Sequence, residues 1–124
     1  MVDAYPDNNP KTVIGLTKPS FHAIPPSALI HLGAGMKNGK DKYGLMNWRD
    51  RQVTASIYLD AQLRHIFAWW DGEDIARDSG VHHLGHVMAC NAILLDAMET
   101  GKLLDDRPIK GTFADIVDRL TVKK

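Results

Sequence analysis

Two helix-like apolar patterns separated by a short acidic turn constrain the fold of this chain more than any other feature. The first begins at Thr54, a possible N-cap, and continues to Trp70, after which Gly72 interrupts it. The second begins at Ser79, another possible N-cap, and continues to Gly101, a residue that suits the position after a helix end. Two helices joined by so short a turn favour an antiparallel hairpin.

The remaining sequence adds shorter helical patterns and no β-hairpin signal. Pro25-Pro26-Ser27 opens a helix that closes near Gly39, and Thr112 begins a last short helix. Residues 41–52 favour a structured loop. We therefore predict an all-α fold, a small helical bundle of about four helices.

The chain length sets the domain organisation. With 124 residues, it is long enough for one core and too short for two ordinary domains. Prolines and little periodicity at the start favour an extended N-terminal arm. We expect a single domain over residues 1–124, with the arm over residues 1–24 and the helical body over residues 25–124.

The charge balance and the single cysteine exclude several classes of protein. Fifteen Lys and Arg balance fifteen Asp and Glu, so general nucleic-acid binding is not expected, although local basic patches such as Lys37, Lys40 and Lys42 remain. Cys90 stands alone, which excludes an intramolecular disulfide. Neither a signal peptide nor a membrane span is recognisable, so we expect a cytoplasmic protein without a membrane partner.

Histidines and carboxylates concentrate around the predicted hairpin turn. Residues 64–86 hold four of the six histidines, and also Asp71, Glu73, Asp74 and Asp78. His86 lies three residues after His83 and four after His82, so it can share a helical face with either. This density is typical of a divalent metal site or a phosphate-handling site, with His65 as a further ligand or a general base. Mg²⁺ or Mn²⁺ is expected, and Zn²⁺, Co²⁺ or Fe²⁺ would also suit.

Aromatic residues divide into a predicted core set and a predicted ligand-binding set. Phe67 and Trp70 are expected in the core. Trp48 lies between Asn47 and Arg49 in the predicted loop, where a ring, an amide and a guanidinium could contact a nucleotide together.

Several of these segments together resemble a known enzyme family. The segments are Lys42-Tyr43-Gly44, Asn47-Trp48-Arg49, Ala61-Gln62-Leu63-Arg64-His65, Gly72-Glu73, Asp78-Ser79-Gly80-Val81-His82-His83-Leu84-Gly85-His86 and Asn91. They resemble the N-terminal domain family of phage dATP/dGTP diphosphohydrolases, over about residues 18–100. The resemblance implies a helical fold of the MazG type and the metal-dependent cleavage of a nucleoside triphosphate into monophosphate and pyrophosphate. MazG-type sites carry Glu-x-x-Glu and Glu-x-x-Asp motifs, whereas His83-x-x-His86 stands here where the second would be expected.

The favoured interpretation is a diphosphohydrolase that converts dNTPs such as dATP and dGTP to dNMP and pyrophosphate. In it, the metal ligands are Glu73, Asp78, His83 and His86. The catalytic residues are His65, Arg64 and Glu73, and the substrate-binding residues are Lys42, Tyr43, Asn47, Trp48 and Arg49.

Two other functions remain open from the sequence. An HD-type metal phosphohydrolase would also be all-α, but its adjacent His-Asp pair is absent. A non-catalytic phage structural or regulatory protein could use the histidine cluster only to join two helices. For any of these functions, the limited core and the broadly apolar helix after Ser79 favour a homodimer or a larger homo-oligomer.

Overall fold

The computed structural model describes residues 7–123, and the chain is mostly helical, as predicted. Two short strands and a 3-10 turn at Asn47–Arg49 supplement the helices in this part of the chain. The helices are α1 (Pro10–Gly15), α2 (Pro26–Tyr43), α3 (Ala55–Trp70), α4 (His83–Glu99) and α5 (Phe113–Leu120), and the strands are β1 (Val53–Thr54) and β2 (Leu103–Leu104).

Helix α4 is the centre of the bundle, and the predicted antiparallel hairpin is the α3–α4 pair. Tyr58 near the start of α3 and Ile93 in the second half of α4 pack against the same core, and His65 further along α3 meets His83 at the start of α4. The helices therefore run in opposite directions. Because α2 and α3 both pack extensively on α4 but not on each other, a gap remains between them.

The backbones of α2 and α4 come into close contact where the two helices cross. Both helices run in the same direction. A Cβ atom on Gly35 would lie 2.8 Å from the carbonyl oxygen of Gly85, and one on Gly85 would lie 2.7 Å from the carbonyl oxygen of His31. Glycine is usually unfavourable inside a helix. At these two positions it allows an approach that any side chain would prevent.

The connection between α3 and α4 is a compact loop rather than an open turn. Gly72 and Gly80 adopt left-handed backbone angles, with φ of 107° and 72°. The predicted N-cap Ser79 is wrong, because α4 begins at His83 and the N-cap is His82, whose Nδ1 accepts a hydrogen bond from the Leu84 backbone N–H at 3.0 Å. The predicted helix end is confirmed, with Gly101 following α4 at φ 70°.

Other helix boundaries differ from the sequence expectation in detail. Helix α2 continues past Gly39 to Tyr43, and α1 lies within the segment predicted as an extended arm. Helix α5 follows Thr112 as predicted. Residues 1–6 of the predicted arm lie outside the described residues. Strands β1 and β2, which pair in parallel with Val53 opposite Leu103, were not predicted because two residues are too few to show an alternating pattern.

The core is small and lies at the end of the bundle near β1 and β2. It contains Trp48, Val53 and Ala97, against which Met36 and Tyr58 pack. The expectation for Phe67 and Trp70 is wrong, since their exposed fractions are 64% and 81%. Within residues 7–123, no helix combines the length and hydropathy that crossing a bilayer would require.

Candidate active site

A cleft of about 760 Å³ fills the gap between α2 and α3, with α4 as its floor. The second half of α2 and residues 44–48 form one wall, and α3 forms the other. This volume lies in the range of small-molecule sites. Six residues predicted to act on or bind the substrate line the cleft, namely Lys42, Tyr43, Asn47, Trp48, Arg64 and His65.

Positive charge dominates the lining of the cleft. Lys37, Lys40 and Lys42 come from α2, and Arg64 faces them from α3. Among residues 7–123, Asp78 is the one acidic side chain in the lining. Lys37 also pairs with Asp41 at 2.7 Å. The resulting excess of positive charge suits an anionic ligand.

The rest of the lining is largely apolar. Tyr43, Leu45 and Met46 contribute from the α2 end and the loop, and Ile57 and Tyr58 contribute from α3. Met46 has a left-handed backbone with φ 51°, which belongs to the sharp turn at this end of the cleft. The cleft thus combines cationic groups with an apolar surface on which a flat ring could lie.

Three histidines from α3 and α4 meet beside the cleft. The His65 and His86 rings stack with centroids 4.4 Å apart and planes 15° from parallel. Nδ1 of His65 lies 2.8 Å from Nδ1 of His83. The predicted spacing therefore brings His65, His83 and His86 together, while His82 faces α2, with its ring centroid 5.3 Å from that of His31.

The two histidines that line the cleft are held neutral. Burial lowers the pKa of His65, with a further contribution from the neighbouring His86 and His83. Burial also lowers the pKa of His86, against the opposing effect of Asp78. At neutral pH each ring therefore offers one unprotonated nitrogen.

Glu73 and His83 form a pair outside the cleft lining. Nε2 of His83 lies 2.8 Å from Oε1 of Glu73, whose Oε2 accepts a hydrogen bond from Arg77 at 2.7 Å. The hydrogen bonds from His83 and Arg77 lower the pKa of Glu73. Both ring nitrogens of His83 are thus engaged.

The four predicted metal ligands divide between two environments. His86 and Asp78 line the cleft, whereas Glu73 and His83 bond to each other. Nε2 of His86 lies 2.7 Å from the Ser79 hydroxyl. Across residues 7–123, no group of three or more His, Cys, Asp or Glu side chains is arranged to hold a metal ion. The side chains therefore do not fit a resident metal in this arrangement.

Trp48 and Arg49, predicted to bind substrate, both form hydrogen bonds with Asp96. Trp48 is only 6% exposed, and its Nε1 donates to Oδ2 of Asp96 at 2.7 Å. Arg49 donates from Nε and Nη2 to the same carboxylate, both at 2.8 Å. These contacts hold residues 47–49 against α4. Although Trp48 touches the cleft, its ring belongs mainly to the core.

Sequence reasoning missed Asp96 and Tyr58. In the sequence, Asp96 looks like an ordinary acidic residue on a helix. Its structural role depends on hydrogen bonds from Trp48 and Arg49, which are distant in sequence. Tyr58 belongs to a helical apolar pattern, and such a pattern does not show whether a side chain faces the core or the cleft. Lys37 and Lys40 were visible as a basic patch, but their place in the cleft depends on how α2 packs.

A family model described as dATP/dGTP diphosphohydrolase, N-terminal, matches residues 8–107. No curated protein and no solved structure gave a significant match.

Proposed function

The chain belongs to the dATP/dGTP diphosphohydrolase N-terminal family, and from this premise we propose that it hydrolyses deoxynucleoside triphosphates such as dATP and dGTP to monophosphate and pyrophosphate. One observation carries this proposal beyond the family name: within the described part of the chain, four cationic side chains and a single carboxylate line the cleft between α2 and α3. The negative charge of a triphosphate is complementary to such a lining.

In this proposal, the substrate binds along the cleft with its phosphates toward the cationic side chains. Lys42 and Arg64 approach from opposite walls and neutralise phosphate charge. Tyr43 and Met46 offer the apolar surface for the base, and Asn47 offers polar atoms for its edge. This arrangement uses the predicted Lys42, Tyr43 and Asn47 and replaces Trp48 and Arg49, which Asp96 holds.

His65 is the proposed general base. It lines the cleft and is neutral at neutral pH, because burial lowers its pKa. His65 takes a proton from the attacking water, the water oxygen bonds to the α-phosphorus, and the bond from that phosphorus to the bridging oxygen breaks. Pyrophosphate leaves with the bonding electrons, and Arg64 and the lysines stabilise its charge.

We propose that the divalent cation, Mg²⁺ or Mn²⁺, arrives as part of the substrate. Nucleotide triphosphates carry such ions, and Mg²⁺ is commonly bound by substrate phosphates with only one or two carboxylates. Asp78 is the carboxylate available in the cleft. The protein then needs no ligand cage of its own, in keeping with the engaged nitrogens of His83.

We further propose that the chain works as a homo-oligomer in the cytoplasm, where nucleotides are available. Large apolar side chains remain exposed on several helices, and α5 presents four of them on one face.

The test is product analysis with a panel of deoxynucleoside and ribonucleoside triphosphates and Mg²⁺ or Mn²⁺. We expect pyrophosphate and the matching monophosphate, and a fall in kcat of about 10²- to 10⁴-fold in His65→Gln. His22→Gln is the matched control, because His22 is exposed and bonds to Ser20 outside the cleft. Inorganic phosphate or intact triphosphate as product would indicate the HD-type reaction, and no turnover by the folded protein would indicate a binding protein.

A further inference from the structure

A hydrogen-bonded chain leads from the α3–α4 loop into the cleft. Its members are Glu73, His83 and His65, joined by contacts of 2.8 Å at each step. His83 is 5% exposed and does not line the cleft. Hydrolysis by His65 alone gives no reason for a buried histidine and a carboxylate behind it.

The positions of the protons along this chain follow from Glu73. Hydrogen bonds from His83 and Arg77 lower the pKa of Glu73, so at neutral pH its carboxylate is ionised and only accepts. Nε2 of His83 therefore donates to Glu73. With one proton on the His83 ring, and that proton donated to Glu73, Nδ1 of His83 is an acceptor and Nδ1 of His65 donates to it.

His65 is left with its lone pair on Nε2. Its ring is neutral and carries one proton, which the contact with His83 places on Nδ1. Among residues 7–123, no hydrogen bond involves Nε2 of His65, and no buried polar side-chain atom lacks a partner, so solvent reaches this nitrogen. Because His65 lines the cleft, its unprotonated nitrogen is the one that a ligand or water meets.

We propose that Glu73 and His83 are positioning residues that fix His65 as the Nδ1–H tautomer and thereby keep Nε2 free to accept a proton. This inference rests on the proposed function, because it assigns the nitrogen that receives the proton of the attacking water. After the transfer, the Nδ1–H of His65 still donates to His83, so the chain of hydrogen bonds stays intact. The predicted role of Glu73 in catalysis is thus indirect, and His83 serves as a hydrogen-bond partner rather than a metal ligand.

The direct test is ¹⁵N NMR of the histidine rings in the whole chain at neutral pH, without nucleotide or metal. We expect His65 to carry its proton on Nδ1 in the wild type. His83→Leu removes the acceptor and keeps a side chain of similar volume in the buried position. The proton of His65 is then no longer held on Nδ1. His83→Asn offers an oxygen close to the position of Nδ1 and is expected to preserve the tautomer.

Glu73→Ala tests the outer step without disturbing a buried position. It removes the hydrogen bond that fixes the proton of His83 on Nε2, so the tautomer of His65 is expected to be no longer fixed. Arg77→Ala is the matched control, because Arg77 bonds to the other oxygen of Glu73 and its side chain is 90% exposed. That variant should leave the His65 tautomer and the turnover unchanged.

Kinetics supply a second readout. His83→Leu and Glu73→Ala should lower kcat by about 10- to 100-fold with little change in KM, and His83→Asn should restore most of kcat. A wild-type His65 protonated on Nε2, or a tautomer unchanged in both His83→Leu and Glu73→Ala, would overturn the inference. Since NMR needs no turnover, an inactive protein with the expected tautomers would refute the proposed function and leave the positioning pair standing.

Discussion

Asp96 shows how much of the site depends on a single side chain. Its carboxylate accepts hydrogen bonds from the buried Trp48 indole and from the Arg49 guanidinium, 48 and 47 residues away in sequence. Trp48 is in turn part of the core that holds the end of the cleft. Asp96 thus couples the 3-10 turn to α4 and fixes the neighbouring Asn47 in the cleft lining.

Replacing Asp96 with Asn should lower the stability of the fold in a pH-dependent way. Hydrogen bonds from Arg49 and Trp48 lower the pKa of Asp96 from 3.8 to about 2. Because the pKa of Asp96 is lower in the folded state, its ionised carboxylate contributes fully to stability above the pKa of the unfolded state. This contribution is lost as the pH falls through the pKa of the folded state. We therefore expect a lower Tm for Asp96→Asn at pH 7 and a difference from the wild type that shrinks as the pH falls from about 4 to 2.

Asp105→Asn is the control for this measurement. Asp105 also has a pKa lowered to about 2, by Arg107, but that partner is only two residues away. Such a local pair can form in the unfolded chain as well, so its loss should change Tm little. Equal effects of the two variants would contradict the role given to Asp96.

The aromatic residues show where sequence reasoning fails. Phe67 and Trp70 lie in a helical apolar pattern and were predicted in the core, yet both are exposed. Trp48 lies between polar residues and was predicted to contact a nucleotide from a loop, yet it is buried. Periodicity reports which residues share a face but not what covers that face, and the burial of Trp48 depends on Asp96 far along the chain.

Pairs of helices were predicted more successfully than single side chains. The α3–α4 hairpin follows from its apolar pattern and its glycine-containing turn, and it brings His65, His83 and His86 together as expected. The crossing of α2 over α4 could not be predicted, because Gly35 and Gly85 look like helix-weakening residues until the two backbones are seen in contact. The cleft depends on that crossing. The sequence therefore shows the lysines as a basic patch but does not predict that they line a cleft.

Replacing Gly85 with Ala should destabilise the fold. The new methyl group would lie 2.7 Å from the His31 carbonyl oxygen, a backbone atom that can move only if α2 shifts. Overpacking of this kind costs about 1–3 kcal/mol in the free energy of unfolding. Chemical denaturation followed by circular dichroism measures the change.

Gly33→Ala is the matched control for the helix crossing. Gly33 lies in α2, and a Cβ atom there would meet nothing within 4 Å. Alanine should therefore stabilise the helix by about 0.5–1 kcal/mol. A Gly85→Ala protein as stable as the Gly33→Ala protein would show that the two backbones are not in close contact.

The chain taken alone exposes more surface than its mass requires. Its accessible surface is 10206 Å², whereas a compact monomer of 13.8 kDa would expose about 6,600 Å². Helix α5 presents Phe113, Ile116, Val117 and Leu120 on one face, and none of the extensive contacts among the described elements includes it. We propose that a second copy of the chain covers this face, because each copy brings the same exposed apolar surface.

Light scattering coupled to size-exclusion chromatography should give a mass of at least twice that of one chain. The double substitution Phe113→Ser with Leu120→Ser should shift this mass toward the monomer, because it removes two large side chains from the α5 face. Ile109→Ser is the control, since Ile109 is exposed but lies outside α5. A monomeric wild-type chain at every concentration tested would contradict the proposed homo-oligomer.

Helices α2 and α3 each pack on α4 and meet each other only weakly, so the bundle resembles a triangle with one side missing. A nucleotide that touches both walls would supply that third side. Binding would then add to the folding free energy of the entire bundle in proportion to the logarithm of ligand concentration. Under the proposed function, occupancy of the cleft and stability of the fold would be thermodynamically linked, and the concentration of nucleotide would help to determine how much of this protein stays folded.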